Sequence, residues 1–129
     1  TMPILVLDAS GVRRLAERSL RASALLAALR REDLWPPLVP SPVLVECLTG
    51  HAGRDANVNR LLRTCSFEER VSEVLARRAA ALRFAARRGS AVDALVVASA
   101  EPDGVVLTSD VGDLRALATH SHGVVVERA

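Results

Sequence analysis

Four carboxylates stand out as residues that could do chemistry together: Asp8, Glu46, Asp93 and Asp110. Asp8 closes the apolar run Ile4-Leu5-Val6-Leu7, and Asp110 follows Val105-Val106-Leu107-Thr108-Ser109. In open sheets of parallel strands, ligands gather beyond the C-terminal strand ends, where these two acids fall. Carboxylates brought into one cleft repel by roughly 1–4 kcal/mol per pair at about 4 Å. Such a cluster takes up protons or binds cations. All-oxygen ligands suit Mg²⁺ or Mn²⁺, and Mg²⁺ needs few of them because it keeps several waters. A metal so held activates water and offsets the charge that develops on a phosphodiester under attack.

Each acid also has a structural explanation. An Asp after a strand often caps the next helix, and Asp110-Val111-Gly112-Asp113 has the form of a capping arrangement. Ser90-Ala91-Val92-Asp93 fits a capping-box variant, with Asp93 in the first turn facing the helix dipole. Glu46 is the one charge in Val43-Leu44-Val45-Glu46-Cys47-Leu48, a helix expected to be buried on most sides. A buried carboxylate needs a cation, so either an Arg or a metal is expected beside it. Spacing alone does not bring the four acids together.

The elements that must position them alternate in type. Residues 3–8 read as a buried parallel strand, with Ser10 placed to cap a helix behind it. Residues 21–32 continue as an Ala/Leu/Arg helical pattern. The prolines of 36–40 favour an extended segment with a short strand. Ser41-Pro42 then reads as N-cap and first helical position of a helix that stops near Gly50. A helix over 55–63 and a short strand over 65–68 follow.

From Ser72 to Arg88 the pattern is strongly helical: Val71, Leu75, Leu82 and Ala86 share one side, opposite Arg77, Arg83, Arg87 and Arg88. Phe84 on the Arg side and Arg78 near the apolar side are misfits to a simple surface helix, suggesting a protein contact. Gly89 breaks that helix, and Ser90 starts another running through Ala100. A strand over 104–108, a helix over 110–118 and a strand over 123–127 complete the chain. Strands alternating with helices imply one α/β domain over residues 1–129, with a parallel sheet covered on both faces.

Composition narrows the function. Half of the 129 residues are hydrophobic and a quarter charged, which is globular. No apolar stretch nears the roughly 20 residues of a membrane span, and no leader is evident at the N-terminus, so a cytoplasmic protein is expected. Cys47 and Cys65 suit free thiols in a reducing compartment. All 17 of the Lys and Arg residues are Arg, and the net charge is only +2. Trp35, Phe67 and Phe84 are the full set of aromatics, which argues against base stacking on aromatic platforms; any RNA would be held by phosphate and shape. His120 and His122, flanking Ser121 in a polar turn, are expected in solvent. There is no Gly-x-Ser-x-Gly elbow and no Gly-rich phosphate loop.

Four segments resemble the PIN-domain family, especially the VapC-type toxin ribonucleases of type II toxin–antitoxin systems. Val6-Leu7-Asp8-Ala9-Ser10 is similar to the opening strand with its metal-binding Asp, and Ser41 to Leu48 to the family's Glu-bearing helix. Asp93 to Ala100 resembles the helix headed by the third acid, and Leu107-Thr108-Ser109-Asp110-Val111-Gly112-Asp113-Leu114 the Thr-x-Asp turn supplying the fourth. Leu114 stands where many relatives carry Phe. Together they span nearly the whole chain.

The resemblance implies an α/β/α sandwich with a short central parallel sheet and Mg²⁺- or Mn²⁺-dependent endoribonuclease activity. It also implies homodimerisation and inhibition by a cognate VapB-type antitoxin. By position, Asp8, Glu46, Asp93 and Asp110 inherit the catalytic and metal-binding roles, with Asp113 an additional candidate ligand. Ser10 and Thr108 are candidates to support these ligands by hydrogen bonding. The alternative is a binding-only PIN domain that holds RNA or a protein without cutting. A phosphotransfer receiver would need a Lys after its last strand, and the chain has none. A phosphatase of the haloacid-dehalogenase type would need Asp at position 10, where Ser stands.

Overall fold

The computed structural model describes residues 3–129; the N-terminal reading that begins at Thr1 and Met2 lies in part outside them. Leu5, Val6 and Leu7 have no polar neighbour to turn outward, so the strand they form, β1 (Leu5–Leu7), is buried on both faces. Chain order continues with helices α1 (Ala9–Ala16) and α2 (Leu20–Arg31), strand β2 (Leu38–Pro40), then α3 (Ser41–Cys47) and α4 (Ala56–Leu62). Strand β3 (Ser66–Glu68), helices α5 (Glu73–Ala86) and α6 (Ala91–Ala100), strand β4 (Val105–Thr108), α7 (Gly112–Ala118) and β5 (Val125–Arg128) complete it.

All strand pairs are parallel, in the order β3-β2-β1-β4-β5. Helices α2, α3 and α4 pack around α1, whereas α5, α6 and α7 pack on one another. The chain thus winds outward from β1 through β2 to β3, returns to β4 beside β1, and winds the other way to β5. The expected α/β/α sandwich with a central parallel sheet is what forms. Its β1 and β4 ends flank the point where the winding reverses, which is where such sheets open a crevice. Leu5, Val6 and Leu7 lie opposite Val105, Val106 and Leu107.

Several boundaries differ from the sequence reading for identifiable reasons. Asp8 rather than Ser10 caps α1, accepting from Gly11 N; Ser10 falls in the first turn, which releases its hydroxyl for another use. Ser19 caps α2 through Ala22 N. Pro40, not Ser41, flanks α3, and the Ser41 hydroxyl donates to the Glu69 carbonyl at 3.4 Å. The Asp110 capping arrangement does not form: α7 starts at Gly112, with Val111 before it and no side-chain cap.

The burial expected around Glu46 is wrong. In the seven-residue α3 only Val43 and Cys47, one turn apart, are fully buried, with Leu44 packed partly against the core. Val45 is 84% exposed, and Glu46 beside it is exposed too. The apolar stretch outlasts the core contact.

On α5, the misfit Arg78 has a partner. Its Nε and Nη2 donate to the two Glu101 oxygens at 2.7 and 2.8 Å, pinning α5 to the end of α6. That pairing, with the His122 amide as a further donor, holds the Glu101 carboxyl below the usual carboxylate range. Phe84 remains 80% exposed.

Candidate functional site

At the crevice, α1 comes so close to β4 that position 11 must be glycine. A Cβ there would overlap the Leu107 carbonyl oxygen. Nothing in the sequence pattern marks this glycine, because its backbone is ordinary helix; the requirement comes from a neighbour 96 positions away in the chain. The close approach sets Ser10, on α1, against Thr108, the last residue of β4, with their hydroxyl oxygens 2.9 Å apart.

Both hydroxyls serve Asp8. Ser10 Oγ donates to Asp8 Oδ1 at 2.9 Å, and Thr108 Oγ1 donates to Oδ2 at 2.7 Å. Gly11 N adds a third donor to Oδ1 at 2.7 Å. Each hydroxyl is itself oriented by a backbone amide: Ser109 N donates to Ser10 Oγ, and Asp110 N donates to Thr108 Oγ1. One proton per hydroxyl is thereby committed to the carboxylate. Asp8 is 9% exposed and Thr108 wholly buried, so this acid is held in a single orientation by directed donors.

Asp110 follows directly on this lattice. Its main chain is tied to the Thr108 hydroxyl, while its side chain is exposed and makes no hydrogen bond among the described residues. Asp93 sits half-buried in the first turn of α6, whose N-terminus lies at the same edge of the sheet because the helix runs back against β4. The capping box is real: Asp93 N donates to Ser90 Oγ, and Asp93 Oδ2 accepts from Ser90 N at 3.1 Å. Glu46 lies near the end of α3, beyond β2, and its carbonyl accepts from Arg13 on α1 at 3.2 Å. Asp113 is paired with Arg88 at 2.7 Å.

Two findings bear on what the acids do. Although the chain has 17 arginines, none pairs with the Asp8, Glu46, Asp93 or Asp110 side chain among the described residues. Arg14, Arg77, Arg78 and Arg88 go to other acids. Against that, no three His, Cys, Asp or Glu residues among those described stand close enough to form a ready cage for a metal ion. The donor chemistry is all oxygen and suits a hard cation, but only Asp8 is locked in place.

The remaining reactive groups lie outside this chemistry. Burial pushes the Cys65 thiol up to about 11 and raises that of Cys47, leaving two inert thiols packed in or against the core. His120 and His122 are exposed.

Asp55, which the sequence reading passed over, is a buried carboxylate with a structural task. It accepts from Thr49 N, Thr49 Oγ1 and Gly50 N, closing the loop before α4, and the Thr49 amide leads in lowering its proton affinity. A groove of about 660 Å³ lies away from the crevice, between α1, α2 and α4, with Leu20, Leu26, Trp35 and Leu61 in its wall. None of the four acids lines it. No helix among the described residues is long and apolar enough to cross a membrane.

No family model matches the chain, and no curated protein matches it in sequence. Among solved structures it is similar to a chain of the crystal structure of VapBC2 from Rickettsia felis bound to a DNA fragment from their promoter. The TM-score is 0.72 with 98% of each chain covered, and the sequence identity is 13%. At that identity what is shared is the fold, over essentially the full length of both chains: a PIN-like α/β/α sandwich.

Proposed function

We propose that this protein is a metal-dependent endoribonuclease, the toxin of a VapBC-type pair, and that Asp8 is the fixed member of its acidic site. The observation that carries this reading is the hydrogen-bonded lattice of Ser10, Gly11 and Thr108 around Asp8 at the β1–β4 crevice. A carboxylate locked by three donors, with no cation partner among the described residues, is an anion placed for an external one. Support also comes from the other three carboxylates, none of which pairs with an arginine among the described residues, and from the likeness in fold to a chain of a VapBC2 structure.

Asp8 and Asp110 would hold Mg²⁺ or Mn²⁺ directly, with Asp93 and Glu46 contributing through bound water. A divalent ion there lowers the proton affinity of a water and offsets charge on the phosphodiester. Ser10 and Thr108 keep Asp8 from rotating, and Asp110 follows because its amide is held by Thr108. Asp93 keeps the Ser90 cap while its other oxygen stays available to water. Asp113, spent on Arg88, is the weakest ligand candidate. The partners implied are an RNA substrate, a VapB-type antitoxin and a second copy of the chain.

A second reading, a PIN-like domain that binds without cutting, is favoured by the absence of a ready three-acid cage among the described residues and by the capping duty of Asp93. Cleavage of total RNA by purified protein, with Mg²⁺, Mn²⁺ or EDTA beside an Asp8→Ala control, separates the two. Discrete metal-dependent fragments that vanish in the variant establish the nuclease. RNA retained but uncut under every metal selects the binding domain.

A further inference from the structure

Two arginines at the crevice carry charge that the fold does not use. Arg13, on α1, spends one N–H on the Glu46 carbonyl at 3.2 Å. Arg128, at the end of β5, spends one on the Ser109 carbonyl at 3.1 Å, in the link between Thr108 and Asp110. Both residues are exposed, and neither has a carboxylate partner among the described residues, in contrast to Arg14, Arg77, Arg78 and Arg88. A guanidinium has five N–H donors in a planar fork, so each keeps most of its donors while a backbone carbonyl limits its swing.

Their places are set by strand order. Arg13 bonds to α3, which leaves β2, and Arg128 ends β5, so Asp8 after β1 and Asp110 after β4 lie between them. From β2 to β5 is three interstrand spacings, about 14 Å. An arginine stands on either flank of the acids, each tied to the main chain at or next to one of them. With only three aromatic residues, the protein has little means of gripping a strand by stacking.

We propose that Arg13 and Arg128 are phosphate-binding residues. They hold the phosphates on either side of the one presented to the acids, so that an RNA strand is drawn across the crevice from the β2 side to the β5 side. This rests on the nuclease reading and adds the substrate's path and polyanionic anchor points to it. Arg88, neutralised by Asp113, has no part in the clamp.

The test is binding of a fluorescein-labelled single-stranded RNA of about ten nucleotides, within the usual size of a single-strand site, in EDTA across a salt series. Each phosphate contact on a single strand contributes about 0.7 to the slope of log affinity against log salt. Arg13→Gln and Arg128→Gln should therefore each lower the slope by about 0.7, and the double variant by about 1.4. Each single variant should weaken binding about eightfold at about 50 mM salt and about threefold at about 200 mM. Arg13→Lys and Arg128→Lys keep the charge and should keep the slope. Arg77→Gln, at an exposed position of α5 already paired with Glu73, serves as control.

Unchanged slopes in Arg13→Gln and Arg128→Gln overturn the clamp, as does an equal loss in Arg77→Gln, which would mean diffuse attraction. If the wild type still cleaves RNA in an Asp8-dependent way while those slopes hold, the clamp alone fails. A wild type that neither binds nor cleaves RNA removes both the clamp and the nuclease reading.

Discussion

Replacing Thr108 by Val is the sharpest perturbation of the site, because it exchanges a hydroxyl for a methyl in a fully buried position and leaves the volume nearly unchanged. Two interactions go: the 2.7 Å bond donated to Asp8 Oδ2 and the one accepted from Asp110 N. A hydrogen bond to a charged group contributes about 1.5–3 kcal/mol, and the Asp110 amide, partly buried, is left without its partner. The expected loss is about 2.5 kcal/mol. For 129 residues at about 2.1 cal/mol/K each, unfolding entropy is about 0.27 kcal/mol/K, so the melting temperature should fall by about 9 °C.

Urea unfolding followed by Trp35, the single tryptophan, gives the free energy, and calorimetry the temperature. Thr108→Ser is the control: it keeps the hydroxyl and loses one methyl, for about 1 kcal/mol. Ser10→Ala combined with Thr108→Val should show a coupling energy of at least about 0.5 kcal/mol, since both hydroxyls serve one carboxylate. A Thr108→Val protein within about 0.5 kcal/mol of wild type would mean that the Asp8 lattice is not a stabilising network, and the reasoning from it to a pre-set metal ligand would go with it.

Three further outcomes are expected. Mg²⁺ or Mn²⁺ at about ten times its dissociation constant should stabilise the fold by about 1.4 kcal/mol, or about 5 °C, and Asp93→Asn should narrow the difference; a melting temperature indifferent to millimolar metal counts against the site. Gly11→Ala should cost about 1–3 kcal/mol by pushing α1 off the Leu107 carbonyl, and should lower any RNA cleavage more than it lowers the folded fraction; a neutral effect in urea titration contradicts the close packing. The Arg78 guanidinium holds the Glu101 carboxyl below its unfolded value near 4.3, so that group's contribution is present above about pH 4.3 and fades as pH falls through the lower folded value. The stability gap between wild type and Glu101→Gln should accordingly be widest near neutrality and narrow as pH falls through the folded value, and a gap constant with pH would sink the assignment.

Much of the fold could be read from local pattern. Short apolar runs bounded by turn residues marked β1 and β4, Ser72 and Ser90 marked helix starts, and the alternation of types implied a covered parallel sheet. These signals are local: a cap is a contact over three residues, and a strand buried on both faces announces itself by lacking polar alternation. Asp8 and Asp110 were legible for the same reason, as acids placed directly after such strands.

What tertiary structure decided lies in contacts across the sheet. Pattern made Ser10 a cap and resemblance alone made it a supporting hydroxyl; it orients Asp8 because Asp8 took the cap and β4 brought Thr108 within 2.9 Å. Glu46 looked buried and is exposed, because an apolar stretch does not say how wide a face the core will cover. Gly11, Asp55, Arg13 and Arg128 carried no sequence signal, since each acts through a partner set by winding order or loop closure. Residue type and local spacing suffice to place a carboxylate at a strand end. Whether it is paired, caged or left for an external cation depends on which distant side chains the packed layers bring to that same edge.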